Sequence, residues 1–572
     1  MNSMRDSKKP SVMKAWLKYY DHDAIAEEVP KNTLYDYLFQ GNKDHLGEIA
    51  LSYIDNEITY GELFENIRKT ASAYMNLGVK AGDIVTICSV TTPEIIYSFY
   101  AVDLIGATLN MIDPRTSIDG IRGYLREAKS KYICVLNKVY PKIHEAVTGM
   151  NIDRIVIVSP EDSQKHRKRM SYHLKNKDKN IYSSYCIKWK QFIRRGEDTI
   201  LKPVPYREGH CAVVVHTGGT TGSPKGVMLN DDAFNALAFQ YGKLNITFKR
   251  QQKFLNVMPP YIAYGLACGI HMPLSFGLTS ILIPNLDPKK LAFLILKYKP
   301  AYMCGVPVHY QVLANDKRMR HADISYLLNS GSGGDAITIG AEIEVNRFLK
   351  SHGSKYPLAK GYGMTELCST ACTCMGDVNK PGSVGIPLIK NTVSAFEYGT
   401  DTELNIGEKG EICITGPTIM LGYYGKQEET ANVLRKHSDG TIWVHTGDVG
   451  YIDEDGFVFV EARIKRMIIR HDGFKVFPSM IENVISIHPA VETCSVVGSR
   501  DKTQPQGNLP YVYIVLKKNV QESQGKIKSE IIKLCLEKLP EYAQPVAYKF
   551  CDSLYYTPIG KVDYRKLEKE AV

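Results

Sequence analysis

His216-Thr-Gly-Gly-Thr-Thr-Gly-Ser-Pro-Lys-Gly226 is the stretch from which the rest of this 572-residue chain can be read. Four glycines, three threonines and a lysine fall within eleven residues, directly after the apolar run Cys211-Ala-Val-Val-Val215. A β-branched run of that kind reads as a buried strand, and Asp231 to Phe239 reads as a helix further on. The expected order is therefore strand, glycine loop, helix. Such a loop suits a polyphosphate: glycines let backbone N–H groups approach the anion, hydroxyls donate further bonds, and the lysine adds charge. The P-loop of NTPases is excluded, because it needs a Ser or Thr after its lysine and Gly226 stands there.

The loop is similar to the phosphate loop of acyl-adenylate-forming enzymes, a family of acyl-CoA synthetases, aryl-CoA ligases, luciferases and peptide-synthetase adenylation domains. Their loop commonly reads Tyr-Thr-Ser-Gly-Thr-Thr-Gly-x-Pro-Lys-Gly; this chain has His216 for the tyrosine and Gly218 for the serine. The resemblance implies nucleotide contacts from Thr217, Gly218, Gly219, Thr220, Thr221, Gly222 and Lys225. Further motifs follow in family order. Gly361-Tyr-Gly-Met-Thr-Glu366 joins a hydroxyl to a carboxylate after a glycine turn. By resemblance Gly361, Tyr362, Gly363 and Met364 border the adenine, Thr365 touches the α-phosphate, and Glu366 holds Mg²⁺, a hard cation that prefers oxygen. Gly333, Gly334 and Asp335 match the upstream adenine loop, where the family often has alanine at the aspartate. Asp448, in Trp443-Val-His-Thr-Gly-Asp448, matches the acceptor of the ribose hydroxyls, and Arg463 follows fifteen residues later.

Near the end stands Thr557-Pro-Ile-Gly-Lys561-Val-Asp. In the family this lysine bridges the substrate carboxylate and the α-phosphate. A carboxylate attacking a phosphate is anion meeting anion, so a placed cation stabilises the developing charge. Arg463 and Lys465 match the hinge about which the family's small domain turns, and Gly473 matches the glycine that then faces the thiol. One extra residue lies between Arg463 and Gly473 relative to the common spacing.

The implied substrates and cofactor are ATP, Mg²⁺, a carboxylic acid and coenzyme A, with an acyl carrier protein as the alternative acceptor. Peptide-synthetase domains anchor an ammonium with an aspartate where Ile262 stands. An apolar residue cannot pair with a buried ammonium, so an amino acid substrate is excluded. Tyr261, Ile262, Tyr264, Val306, Val308 and Leu367 are expected to line an acyl or aryl pocket. The function expected is an acyl-CoA synthetase, against an acyl-AMP ligase and a catalytically silent nucleotide sensor.

Length demands more than one domain. Strand–helix–strand units at Asp83–Ser89, Pro93–Leu104 and Ala107–Met111, and again at Ile281–Ile283, Asp287–Lys297 and Ala301–Cys304, imply parallel sheets covered by helices. The fold class expected is α/β: a large N-terminal domain, 1–462, of parallel-sheet subdomains, and a small mobile α+β domain, 463–572. In the latter, Val491–Gly498 and Tyr511–Leu516 read as strands. Ile527 to Leu539 reads as a helix with Ile527, Ile531, Ile532, Leu534, Leu536 and Leu539 on its apolar face.

Composition is that of a soluble globular protein, 44% hydrophobic and 23% charged. The net charge of +10 is local: 165–195 carries eleven Lys/Arg and only Asp178, and removing them from the 71 basic and 61 acidic residues leaves 60 of each. That stretch, through Lys188-Trp-Lys190, is read as a solvated surface insertion, with an acidic lipid surface or nucleic acid as the lesser alternative. Tyr261 to Leu286 lacks charge but contains Pro273, Pro284 and several glycines, so it reads as a buried helix and strand, not a membrane span. Thirteen cysteines without a C-x-x-C pair suit reduced thiols and a cytoplasmic location. Cys368, Cys372 and Cys374 are expected as small buried thiols without a metal.

Overall fold

The structure is a computed structural model and describes residues 8–164, 180–197, 201–217, 225–472, 474–501, 504, 507–518, 520–556 and 562–571. Gly218, Gly219, Thr220, Thr221, Gly222, Gly473 and Lys561 lie outside the described residues, as does 165–179 of the basic stretch.

Two broad sheets carry the larger part of the chain. In one, the strand order among the described residues is Gly422–Tyr423, Gly226–Asn230, Cys211–His216, Thr108–Met111, Ile84–Cys88, Tyr132–Leu136, Arg154–Val158, Cys186–Lys188. From Cys211–His216 to Cys186–Lys188 every pairing is parallel. The second sheet includes Ile49–Tyr53, Thr279–Leu282, Lys253–Asn256, Tyr302–Gly305, Asn329–Ser332 and Ala359–Tyr362, again paired in parallel along that run. Strands buried on both faces need continuous apolar sequence, and Tyr132–Leu136 is buried throughout. The helix Pro93–Leu104 begins at its proline, as expected for a residue with no N–H to lose.

A third, antiparallel sheet holds Thr392–Phe396, Gly410–Thr415, Ile442–Ile452, Leu434–Lys436 and Val458–Arg463. After it comes a separate core built from Ile468, Val476, Ile481, Val496, Val512, Ile514, Ile527 and Ile531. It sits between Pro478–Ser486, Gln524–Lys538 and a sheet of Val491–Arg500, Asn508–Leu516 and Ala547–Phe550. This is the expected α/β architecture with a small α+β unit at the end.

Three expectations need correction. A strand, Gly226–Asn230, intervenes between the glycine loop and the helix Asp231–Tyr241, so the loop joins two antiparallel strands and not a strand to a helix. Gly226 permits this pairing: a Cβ there would lie 2.8 Å from Val214 Cγ1. In the basic stretch, Lys188-Trp-Lys190 is no loop. Cys186–Lys188 is the outer strand of the first sheet, and the following helix Trp189–Arg194 buries Phe192 against Tyr74, ring centroids 4.8 Å apart. In the last long helix Leu536 is 65% exposed. The buried stripe is Ile527, Ile531 and Cys535, four residues apart, with Leu539 at its end.

Among the described residues no helix is long and apolar enough to cross a membrane. The uncharged segment folds as Ala263–Leu266, a π-helical turn Ala267–His271 and Met272–Ser275, then the strand Thr279–Leu282. Asn256 Nδ2 donates to Gly269 O at 2.6 Å, meeting a carbonyl of the widened turn. Gly265 is obligatory, since a Cβ would stand 1.8 Å from Pro259 O.

Candidate functional site

The described ends of the glycine loop are pinned together. Thr217 N donates to Lys225 O at 3.0 Å, and His216 faces Gly226 in the ladder. His216 is largely buried: Nε2 lies 2.7 Å from Asn110 Oδ1 on the adjoining strand, and its ring stacks on Tyr124 at 3.8 Å. Amide oxygen only accepts, so Nε2 carries the proton. Burial, then the Lys426 ammonium, lowers its pKa to about 4, leaving the ring neutral at physiological pH. His216 therefore anchors the root of the loop.

Glu366 is placed by a tight reversal. Gly361 and Tyr362 pair with Thr373 and Cys372, and Thr365–Leu367 forms a 3-10 turn between them. Only glycine fits at 363, where a Cβ would fall 1.7 Å from Ser369 O. Cys368 and Ser369 both have positive φ, +55° and +123°, so backbone strain sits directly behind the motif. Glu366 is buried, and Tyr423 donates its phenol to Glu366 Oε1 at 2.6 Å. Burial, then Glu366, raises the Tyr423 pKa, which keeps the proton on the phenol. Lys225 Nζ stands 4.6 Å from the Tyr423 ring centroid. Gly422–Tyr423 also pairs with Gly226–Asn230. One tyrosine thus ties the glycine hairpin to the acidic motif.

Asp448 is aimed by a bulge. Gly447 has φ +72°, and the register slips between Glu411 and Cys413 opposite it. Gly447 N donates to Glu411 Oε1 at 3.0 Å, and Asp448 N to Thr446 Oγ1 at 3.1 Å. Asp448 is buried, with Tyr362 OH 2.6 Å from Oδ2 and Arg463 Nε 2.8 Å from Oδ1. Burial raises its pKa, only partly opposed by Arg463. Arg463 is the last ladder residue of its strand, directly opposite Asp448; Lys465 lies in the 3-10 turn that follows.

Gly333 joins these parts to the expected acyl pocket. A Cβ there would lie 3.3 Å from Gly361 O and 3.8 Å from the Tyr264 hydroxyl. Tyr264 OH donates to Gly305 O at 3.2 Å, and Val306 Cγ1 lies 3.7 Å from the built Cβ of Gly334. Tyr264 and Val306 therefore gather around the Gly333 loop, and partly buried Ile262 packs on the same core as they do. Tyr261 turns elsewhere, under the Arg115 guanidinium at 5.4 Å. Leu367 is fully buried in the core beneath the third sheet, and Val308 is 41% exposed. Asp335 is exposed. Cys368, Cys372 and Cys374 are buried free thiols; burial raises all three pKa values, that of Cys374 to about 11.

Sequence reading missed Tyr423 and Glu411. Tyr423 lies in Gly422-Tyr-Tyr424, which carries no polar pattern; its role depends on a strand pairing across two hundred residues. Glu411 was invisible for the same reason, although its partner His445, 3.0 Å away, stands within the Asp448 motif.

Comparison with known proteins gives the family. The family model for AMP-binding enzymes matches residues 38–424, and that for the AMP-binding enzyme C-terminal domain matches 480–561. The chain belongs to the AMP-binding enzyme family. It is similar to a long-chain-fatty-acid–CoA ligase of Bacillus subtilis (strain 168), 30% identical over 97% of this chain and 98% of that protein. It is also similar to 4-coumarate–CoA ligase CCL1 of Humulus lupulus, 26% identical over 88% and 87%. ATP-bound MatB from Rhodopseudomonas palustris shares the fold, with a TM-score of 0.79 at 21% identity, covering 94% of this chain and 99% of that one.

Proposed function

We propose that this chain is an AMP-forming acid–CoA ligase that activates a fatty or aryl acid. In the first step a carboxylate oxygen attacks the α-phosphorus of ATP, and the α–β bridge bond breaks to release pyrophosphate. In the second, a thiol attacks the acyl-adenylate and AMP departs. The observation that carries the reading is the line Lys225–Tyr423–Glu366, which sets a cation and a buried carboxylate on either side of one phenol at the mouth of a glycine hairpin. The CoA ligases among the relatives support it.

Thr217 to Gly222 and Lys225 would hold the β- and γ-phosphates, Thr365 the α-phosphate, and Lys561 the developing charge between the two reacting anions. Asp448 would accept the ribose hydroxyls. A carboxylate offers about four lone-pair positions, so Tyr362 and Arg463 leave it acceptor capacity. Gly333, Gly334, Gly361, Gly363 and Met364 would border the base. Glu366 fits Mg²⁺: it is a buried oxygen donor beside Thr365 with a phenol fixing one of its oxygens. When bound, the ion neutralises phosphate charge.

We place the domain boundary at 462/463, because Arg463 ends the ladder of the third sheet and the small core begins at Ile468. Lys465 then lies in the hinge and Gly473 on the thiol side. After Lys465, Ile468–Ile469 pairs with Lys475–Val476, and Arg470 reaches Asp472 at 2.8 Å. Ile262, Tyr264 and Val306 present mainly apolar surface to the acid, consistent with acids of the type named for the two relatives. Thirteen unpaired cysteines suit a reducing, cytoplasmic setting.

The test is acid-dependent ATP–pyrophosphate exchange over short, medium, long and aromatic acids, followed by CoA thioester detection. Exchange with thioester formation is expected for long-chain or aryl acids. Exchange without a CoA thioester would point to a carrier protein as acceptor. No exchange with any acid would overturn the enzyme reading in favour of a silent nucleotide sensor.

A further inference from the structure

The base of the glycine hairpin, at the opposite end from its loop, carries three titratable side chains that the two reaction steps leave unused. His210 stands just before the strand Cys211–His216. Asp231 stands just after the partner strand Gly226–Asn230, as the first residue of the helix Asp231–Tyr241. Asp103, on the helix Pro93–Leu104, completes the group. None of the three is more than 8% exposed, and one ligand atom of each lies within 4.8 Å of the others.

Tyr35 N donates to Asp103 Oδ2 at 3.0 Å, and His210 Nδ1 lies 3.0 Å from Asp231 Oδ2. A carboxylate only accepts, so Nδ1 carries the proton and Nε2 offers a lone pair. That nitrogen, Asp103 Oδ1 and Asp231 Oδ1 are each buried with no hydrogen-bond partner among the described residues. Buried polar atoms are rarely left so, and here three of them belong to one cluster. Their residues line a single cavity of about 30 Å³, with room for one ion or one water and not for an organic ligand. Pro205 and Arg207 share the lining and are exposed, so the cavity lies just beneath the surface.

Two buried carboxylates side by side need positive charge, and Arg207 brings a single one. Asp103 is also the last residue but one of its helix, where the macrodipole disfavours an anion. Burial pushes both carboxyls upward, Asp103 further because Asp231 faces it. A divalent ion brings the pair to neutrality. Two carboxylate oxygens with an imidazole nitrogen form a donor set for Zn²⁺ or Mn²⁺, whereas Ca²⁺ takes oxygen alone. We propose that Asp103, His210 and Asp231 are a metal site for one divalent ion of the Zn²⁺ or Mn²⁺ class, which ties the helix Pro93–Leu104 to the base of the glycine hairpin. The site is distinct from the Mg²⁺ position at Glu366 and does not depend on the ligase reading.

The test uses the full chain, stripped with EDTA, dialysed and titrated without nucleotide. Mn²⁺ is the first probe, because thiols hold it weakly and the thirteen cysteines then do not compete. Bound ion is counted from the loss of the electron paramagnetic resonance signal of free Mn²⁺. One equivalent should bind, Zn²⁺ should displace it, and Glu366→Gln should retain it. Asp103→Asn and, independently, His210→Gln should each weaken binding at least about a hundredfold, the upper end of what loss of a mere supporting partner costs. Mn²⁺ should also raise the melting temperature of the unaltered chain by a few degrees and leave that of Asp103→Asn where it was. Without metal, Asp103→Asn should melt no lower than the unaltered chain, since it removes a buried charge. Failure to bind either ion, or the same equivalent kept in Asp103→Asn or His210→Gln, would overturn the site and leave the cavity to a water or a shared proton. An equivalent lost only in Glu366→Gln would overturn it as well.

Discussion

Glu94→Gln offers the most direct check on the energetics of the first sheet. Glu94 is the second residue of the helix Pro93–Leu104 and has no solvent exposure. Ser163 donates to Oε1, while Oε2 is buried with no hydrogen-bond partner among the described residues. Burial, reinforced by the Asp162 carboxylate, pushes its pKa up to about 7 from an ordinary 4.5. The protonated form is therefore the one the fold prefers. Stability from this group is fully present below about pH 4.5 and is lost as pH rises through 7. At about 1.36 kcal/mol per pH unit the loss by pH 8 is about 3 kcal/mol, a large share of a typical domain's margin. Glutamine keeps the shape and cannot ionise. Urea unfolding followed at pH 5 and pH 8 should show the native chain weakening over that interval and the variant weakening about 2.5 kcal/mol less, since part of the loss has already occurred at pH 5. Parallel pH profiles for the two proteins would refute the reasoning, since they would mean that Glu94 ionises without penalty.

Three further outcomes follow from the site. Tyr423→Phe leaves a buried Glu366 oxygen without its donor, a loss of about 1–3 kcal/mol, so exchange should fall between about fivefold and a hundredfold and need more Mg²⁺; unchanged exchange would remove Tyr423 from the site. Gly363→Ala drives a Cβ into Ser369 O and should lower the melting temperature or abolish exchange; a variant with both intact would disprove the tight reversal. Lys561→Ala should lose exchange and retain thioester formation from supplied acyl-adenylate, and equal loss of both would argue against the two-step division of labour between Lys561 and the hinge.

Much of this was legible because local chemistry forces it. Pro93 starts a helix, buried β-branched runs become central strands, and Gly363 lets the chain reverse just after the strand Ala359–Tyr362. The strand Gly226–Asn230 was not legible. Five residues with one glycine and a mixed apolar pattern blend into the helix behind them, and their pairing with Cys211–His216 is decided in the sheet. Leu536 misled for a related reason: a helix with more apolar residues than one face can bury leaves some outside, and Cys535 took the inward position. Tyr423 and Glu411 act through partners distant in sequence, a relation that no single segment encodes.

The strand order of the first sheet has an architectural consequence. The glycine hairpin springs from Cys211–His216, while Cys186–Lys188, a strand inside the basic stretch, lies at the opposite margin. Five strand spacings separate Cys211–His216 from Cys186–Lys188, roughly 24 Å at about 4.8 Å each. The sheet thus behaves as a plank, with the glycine hairpin toward one margin and the basic outer strand at the other. A change made along Cys186–Lys188 would have to pass through four intervening strands to reach the hairpin.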